Sequence, residues 1–123
     1  MSPEEGLARL SRSRFRSSFA LGEQEIAYLK SIGAETLRRH ARDFVHQRLA
    51  PAIPSNDGRQ TPMRGHPVFI AMHACAMCCR GCLNKWWQVP LNRPLTPQQE
   101  GKIVNFLLLW IARQQRQEPR DSH

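Results

Sequence analysis

Apolar residues recur three and four positions apart in two long stretches of the chain. Leu37, Ala41, Phe44, Val45 and Leu49 keep that spacing and predict a helix over residues 34–50. Arg38, Arg39, Arg42 and Arg48 take its remaining faces, and Pro51 stops it. A shorter helix is expected just before, over residues 23–32, with Gly33 placed to end it. Ile103, Leu107, Trp110 and Ile111 give the last helix a broad apolar face. Its start is marked by Thr96-Pro97-Gln98-Gln99: a capping hydroxyl, a first-turn proline and a reciprocal capping glutamine. Between these lies a helix over residues 67–86, opened by Pro67 and ended or bent at Gly81. The pattern predicts an all-α single domain of four or five helices, with a central cysteine-rich helix and a long loop before it.

The other segments are less periodic. Residues 7–19 set Arg9, Arg12, Arg14 and Arg16 among serines, with Leu10, Phe15 and Phe19 as anchors. This arm reads as a frayed helix or an extended strap. Residues 51–65 hold Pro54, Asn56-Asp57-Gly58 and Pro62, which is turn chemistry in a loop of unusual length. Residues 88–95 connect to the last helix. The expected organisation is a basic arm over 1–20, a helical domain over 21–113 and a flexible polar tail over 114–123.

Charge narrows the range of partners. The 123 residues carry a net charge of +8, and only Lys30, Lys85 and Lys102 are lysines. Arginine presents a planar fork that fits phosphate or carboxylate two bonds at a time. An acidic partner is therefore expected: nucleic acid, a nucleoprotein assembly or an acidic protein. At 41% hydrophobic the chain is too apolar to be disordered. Its acidic opening, Met1 to Glu5, is not that of a secretory signal. No apolar run approaches the roughly 20 residues needed to span a bilayer. A cytoplasmic protein without a membrane partner is expected, its cysteines reduced, metal-bound or transiently redox-active.

Those cysteines are concentrated in His73-Ala-Cys75-Ala-Met-Cys78-Cys79-Arg-Gly-Cys82, two abutting C-x-x-C units. Paired units of this kind mark zinc when a dozen or more residues separate them. Here they touch. On one straight helix the four cysteines fall within an arc of about 100°, beside Val68, Ala71, Met72 and Trp86. His66 and His73 then lie opposite, with Phe69, Met77, Arg80 and Asn84. Cys75 and Cys82 would stand about 10 Å apart along the axis. A tetrahedral zinc holds its sulfurs about 4 Å apart, so one ion cannot take all four. The candidate metal ligands are His73, Cys78, Cys79 and Cys82, with His40 or His46 as further donors. Buried reduced thiols, a structural zinc and thiol chemistry favoured by Arg80 and Lys85 all remain open.

The entry to this segment is a separate candidate. Arg59, Arg64, Gly65 and His66 precede Pro67. A helix starting there leaves the N–H groups of Val68 and Phe69 free, at its positive end. His66 is a poor cap, which leaves its side chain available. With Arg12, Arg14 and Arg16 of the arm, Arg59, Arg64 and His66 form the expected nucleic-acid or anion-binding set. Trp87 points away from the cysteines and, if exposed, marks an interface. No carboxylate pair, Gly-rich phosphate loop or Ser-His-Asp signature appears, and no catalytic residue is assigned.

Several runs together resemble a known family. They are Asn56-Asp57-Gly58-Arg59-Gln60-Thr61-Pro62, Gly65-His66-Pro67-Val68-Phe69, His73, and Cys78-Cys79-Arg80-x-Cys82-Leu83-x-Lys85-Trp86. Ser13-Arg14-Phe15-Arg16 and Ala41-Arg42-Asp43-Phe44 belong with them. The pattern is similar to a bacterial family of small proteins, domain of unknown function 4186. The resemblance implies a shared fold and brings no activity. The family tends to Lys-Trp-His where this chain has Lys85-Trp86-Trp87, and to Thr at Cys75. If that histidine is a ligand in the family, this chain lacks it, and Cys75 is the residue placed to substitute.

The function expected from the sequence is a non-enzymatic basic module contacting nucleic acid or a nucleoprotein complex, with zinc as its one candidate cofactor. The alternatives are a metal- or thiol-dependent enzyme or redox protein using the His/Cys segment, and a protein-binding adaptor or inhibitor.

Overall fold

Capping chemistry fixes where most helices begin. In the computed structural model, which describes residues 2–55 and 57–121 (side chains to Arg116), Ser2 opens α1, Pro3–Ser11. Its Oγ accepts from Glu5 N at 3.1 Å, and the Glu5 carboxylate accepts from Ser2 N at 2.8 Å. Ser13 caps the single turn α2, Arg14–Ser17, its Oγ accepting from Arg16 N at 3.1 Å. The arm is thus two short helices rather than a strap. It is seated on the domain: Leu10 is buried, and a Cβ on Gly6 would meet Phe106 Cε1 at 2.9 Å. Any larger residue at this position would have to push the Phe106 ring aside.

The two expected helices of residues 23–32 and 34–50 are joined end to end as α3, Glu23–Arg48. Gly33 breaks its geometry at φ 82°, ψ 168°, and the chain resumes a helix at once. α6, Pro97–Asp121, starts at the expected capping box: Gln99 N donates to Thr96 Oγ at 3.1 Å and Thr96 N to Gln99 Oε1 at 2.8 Å. Most of the expected polar tail is helical, its last two residues lying outside the described ones. α3 and α6 pack side by side, with α4, Pro67–Ala74, laid against both. α4 has no polar face to spare: Val68, Ala71 and Met72 are fully buried, and Phe69 and Ile70 nearly so. A helix apolar all round belongs inside a core. Burying Val68, Phe69, Ile70 or Met72 contributes about 1.5–3 kcal/mol each.

The straight helix expected over residues 67–86 does not form. α4 stops at Ala74, and α5 runs Arg80–Trp87. Ala76 turns left-handed at φ 57°. Met77 N donates to Met72 O at 2.8 Å, and Ala76 N to His73 O at 3.3 Å. This pair of bonds is the Schellman ending, which uses glycine at the left-handed position in most helices. Gly81, the expected breaker, sits inside α5. With the turn at Ala76, all four cysteines no longer share one face. The architecture is all-α, six helices among the described residues, with no strand. No described helix is long and apolar enough to cross a membrane.

Candidate metal centre

The break that ends α4 folds the cysteines together. Cys78 lies just before α5, Cys79 is its N-cap and Cys82 is in its first turn. Cys79 Sγ accepts from Cys82 N at 3.3 Å, as a capping oxygen would. Cys78 Sγ and Cys82 Sγ are 3.6 Å apart. All three sulfurs lie within 4.8 Å of one another. A tetrahedral ion with Zn–S near 2.3 Å needs sulfurs about 3.8 Å apart, a spacing that this cluster approaches. Cys78 and Cys79 are buried and Cys82 is partly open.

Other segments hold this cluster. From α2, Arg16 Nη2 reaches Cys82 Sγ at 3.3 Å, and Nη1 reaches Cys78 Sγ at 3.8 Å and His73 O at 2.7 Å. Phe19 stacks on the His73 ring, which keeps α2 in place. From the long loop, Thr61 Oγ donates to Cys78 O at 2.7 Å in a buried bond. Asp57 Oδ1 accepts from Arg80 N at 3.2 Å and from Gln60 Nε2 at 2.8 Å.

The sulfurs differ electrostatically. The hydrogen bond with Cys82 brings Cys78 down to about 7 against the opposition of burial, with help from Arg16. The same contact, with burial, drives Cys82 upward. Burial raises Cys79. Cys75 lies outside the group: it is fully buried, its thiol is raised by that burial, and its carbonyl accepts from Trp87 Nε1 at 3.0 Å. It does not substitute for a missing histidine ligand.

Of the four expected ligands, the structure brings together Cys78, Cys79 and Cys82 but not His73. The His73 ring is turned to the loop, with Nε2 3.1 Å from Thr61 O. His46 pairs with Glu100 at 3.0 Å, away from the thiols. His40 Nδ1 is 3.0 Å from His66 Nε2. Among the described residues, no histidine or carboxylate joins the three sulfurs.

The expected anion site at Pro67 is closed. His66 is the cap of α4: its Nδ1 accepts from Val68 N at 3.0 Å, and its carbonyl accepts from Phe69 N at 3.0 Å. Both ring nitrogens are committed, and burial beside His40 lowers its pKa to about 4. Arg12, Arg14, Arg59 and Arg64 remain exposed, whereas Arg16 is committed to the thiols. Trp87 is partly covered, packing on Phe106 with ring centroids 5.5 Å apart.

Arg80, which a straight helix sets opposite the cysteines, is 2% exposed. Its guanidinium donates to Leu49 O, Pro51 O, Pro90 O and Arg93 O at 2.7–3.1 Å. It thereby ties the end of α3 and the connector before α6 to the first turn of α5. Asp57, Thr61 and Arg80 were missed as site-building residues because their partners are backbone groups distant in sequence. The available signal was their presence in the runs that carry the resemblance.

No solved structure matches the chain. A family model does, over residues 4–112, and so takes in the arm, the long loop and all four cysteines. The chain belongs to the family described as Domain of unknown function (DUF4186).

Proposed function

We propose that this chain is a metal-centred binding module holding one soft divalent cation, zinc foremost, on the thiolates of Cys78, Cys79 and Cys82. The observation that carries the reading is the convergence of three sulfurs within 4.8 Å at the start of α5. The donor set suits the ion: thiolates favour zinc over calcium or magnesium. Three thiolates on a divalent ion leave a net negative charge, and the Arg16 guanidinium stands against two of the sulfurs. Such outer partners tune metal affinity as well as position. Bound there, the ion would cross-link the start of α5 through residues that α2 and the long loop already hold, adding binding energy to folding energy. The fourth position falls to water or an external ligand.

The test is a cobalt titration of the full-length, reduced, metal-free protein. The expected result is one equivalent bound with a thiolate-to-cobalt charge-transfer band, displaced by zinc. Cys78→Ser, Cys79→Ser and Cys82→Ser should each weaken binding about tenfold or more, while Cys75→Ala leaves it intact. Absence of stoichiometric binding, or indifference to Cys79→Ser, overturns the reading.

A second function is compatible with the first. Arg12, Arg14, Arg59 and Arg64 are exposed, unlike the inward-turned Arg16 and Arg80. They are the residues that would meet phosphates if the partner is nucleic acid. Binding to an oligonucleotide should then fall steeply as salt rises, with a slope that shrinks as these arginines are removed. Salt-stable association with one protein would favour the adaptor reading instead.

A further inference from the structure

We propose that Cys78 and Cys82 are a hydroperoxide-reactive dithiol, whose oxidation to a disulfide expels the metal from the centre. The inference deepens the metal reading by naming a substrate class for the same sulfurs. It rests on that reading for the metal release alone.

The geometry selects this pair. The Cys78 and Cys82 sulfurs lie 3.6 Å apart. Cys78 precedes the helix and Cys82 lies on its first turn, so no helical turn stands between them. Closing to a disulfide bond of about 2.05 Å needs side-chain rotation rather than movement of a packed element. Cys79 is held differently, its sulfur accepting the Cys82 N–H. Cys75 is fully buried. Arg16 touches both members of the pair, at 3.8 and 3.3 Å, and places positive charge where a negative oxygen would depart. Access sets the class of oxidant. Cys78 is 8% exposed and Cys82 is the open side of the cluster, which admits a small hydroperoxide more readily than a bulky disulfide.

The chemistry balances in two steps. The Cys78 sulfur attacks one peroxide oxygen and the O–O bond breaks. Cys78 becomes a sulfenic acid, and the leaving oxygen takes the thiol proton to depart as an alcohol, or as water from hydrogen peroxide. The Cys82 sulfur then attacks the Cys78 sulfur. The S–O bond breaks, and the hydroxyl leaves with the Cys82 proton as water. Two electrons pass from two thiols to one peroxide. A small thiol reverses the disulfide by exchange. Where the two sulfurs are thiolates on a bound ion, solvent would supply the two protons, and the ion would lose two of its three sulfur ligands.

The experiment treats full-length protein, metal-free and zinc-loaded, with hydrogen peroxide. Disulfides are mapped by mass spectrometry and zinc release is followed with a chromogenic chelator. The expected product in both samples is one Cys78–Cys82 link, reversed by a thiol, with one zinc released per link. In Cys82→Ser a dimedone-type reagent should trap the sulfenic acid at Cys78. Oxidation that runs to sulfinic acid without a link, a link through Cys79 or Cys75, or thiols inert to peroxide in the metal-free protein overturns the proposal. If the metal-free protein forms the link but no zinc ever binds, the metal reading falls and the dithiol chemistry stands.

Discussion

His66 Nε2 lies 3.0 Å from His40 Nδ1, across 26 residues of sequence. The other side of the His66 ring fixes the direction of the proton. Its Nδ1 accepts from Val68 N, so a neutral His66 carries hydrogen on Nε2 and donates to His40. Protonating His66 sets a donor against the Val68 N–H. Burial is the larger cause of its lowered pKa, and His40 adds to it. The value falls to about 4 from 6.5, so between those limits the unfolded chain binds more protons than the folded one. Stability from this site is therefore full above pH 6.5 and is lost as pH falls towards 4. The ring is half-buried, so about 1–2 kcal/mol is expected rather than the full equivalent of the shift. His66→Asn keeps a capping acceptor and removes the titration. The urea midpoint of the wild type should therefore fall more steeply than that of the variant as pH drops from 6.5 towards 4.

Arg80 supports the fold from inside. Its guanidinium satisfies four carbonyls on two separate segments. Burial lowers its pKa, opposed by the nearby Asp57 carboxylate, and it still remains the charged partner of those carbonyls. Arg80→Ala should destabilise the protein by about 3–5 kcal/mol, since buried acceptors lose their donors and a cavity opens. Arg80→Lys should recover part of that loss, because one ammonium cannot span both segments as the fork does. Denaturant unfolding monitored at the tryptophans measures both.

Ala76 holds the left-handed position of the Schellman turn at φ 57°. A side chain there costs roughly 1 kcal/mol that glycine avoids. Ala76→Gly should therefore raise the unfolding free energy by up to about 1 kcal/mol, against the usual destabilising effect of adding a glycine. It should leave cobalt affinity unchanged. A shift of the denaturant midpoint to lower concentration would mean that the Ala76 methyl, which is fully buried, contributes more through packing than the backbone loses.

What the sequence revealed tracks how local each determinant is. The Thr96–Gln99 box, the break at Gly33 and the apolar faces of α3 and α6 are set within a few residues, and all appear where periodicity placed them. The turn at Ala76 carries no glycine or proline signal. Without it, residues 67–86 project as one helix, which sets Arg80 opposite the thiols and keeps one ion from taking all four sulfurs. The grouping of three of the four candidate ligands was legible because the thiols are close in sequence. His73 was misplaced because its orientation depends on Phe19 and Thr61, on the arm and the loop. Arg16 could be read only as a surface cation, since the contact that redirects it spans 66 residues.

That long-range contact gives the last prediction. Arg16 is the link from α2 to the thiols, so metal and arm should be coupled. With metal bound, the sulfur charge that attracts the guanidinium is fixed, and backbone amides of residues 14–19 should exchange hydrogen more slowly than in the metal-free protein. Arg16→Ala should remove that difference and weaken cobalt binding about tenfold, a typical loss for a partner outside the ligand set. Arg16→Lys should fall between, keeping the charge but losing the fork that spans Cys78 and Cys82. Coupling is reciprocal, so whatever factor the arginine adds to metal affinity must reappear as protection of α2 when metal binds. If the two measurements disagree, Arg16 acts on the thiols only through general electrostatics, and the arm is not part of the metal centre.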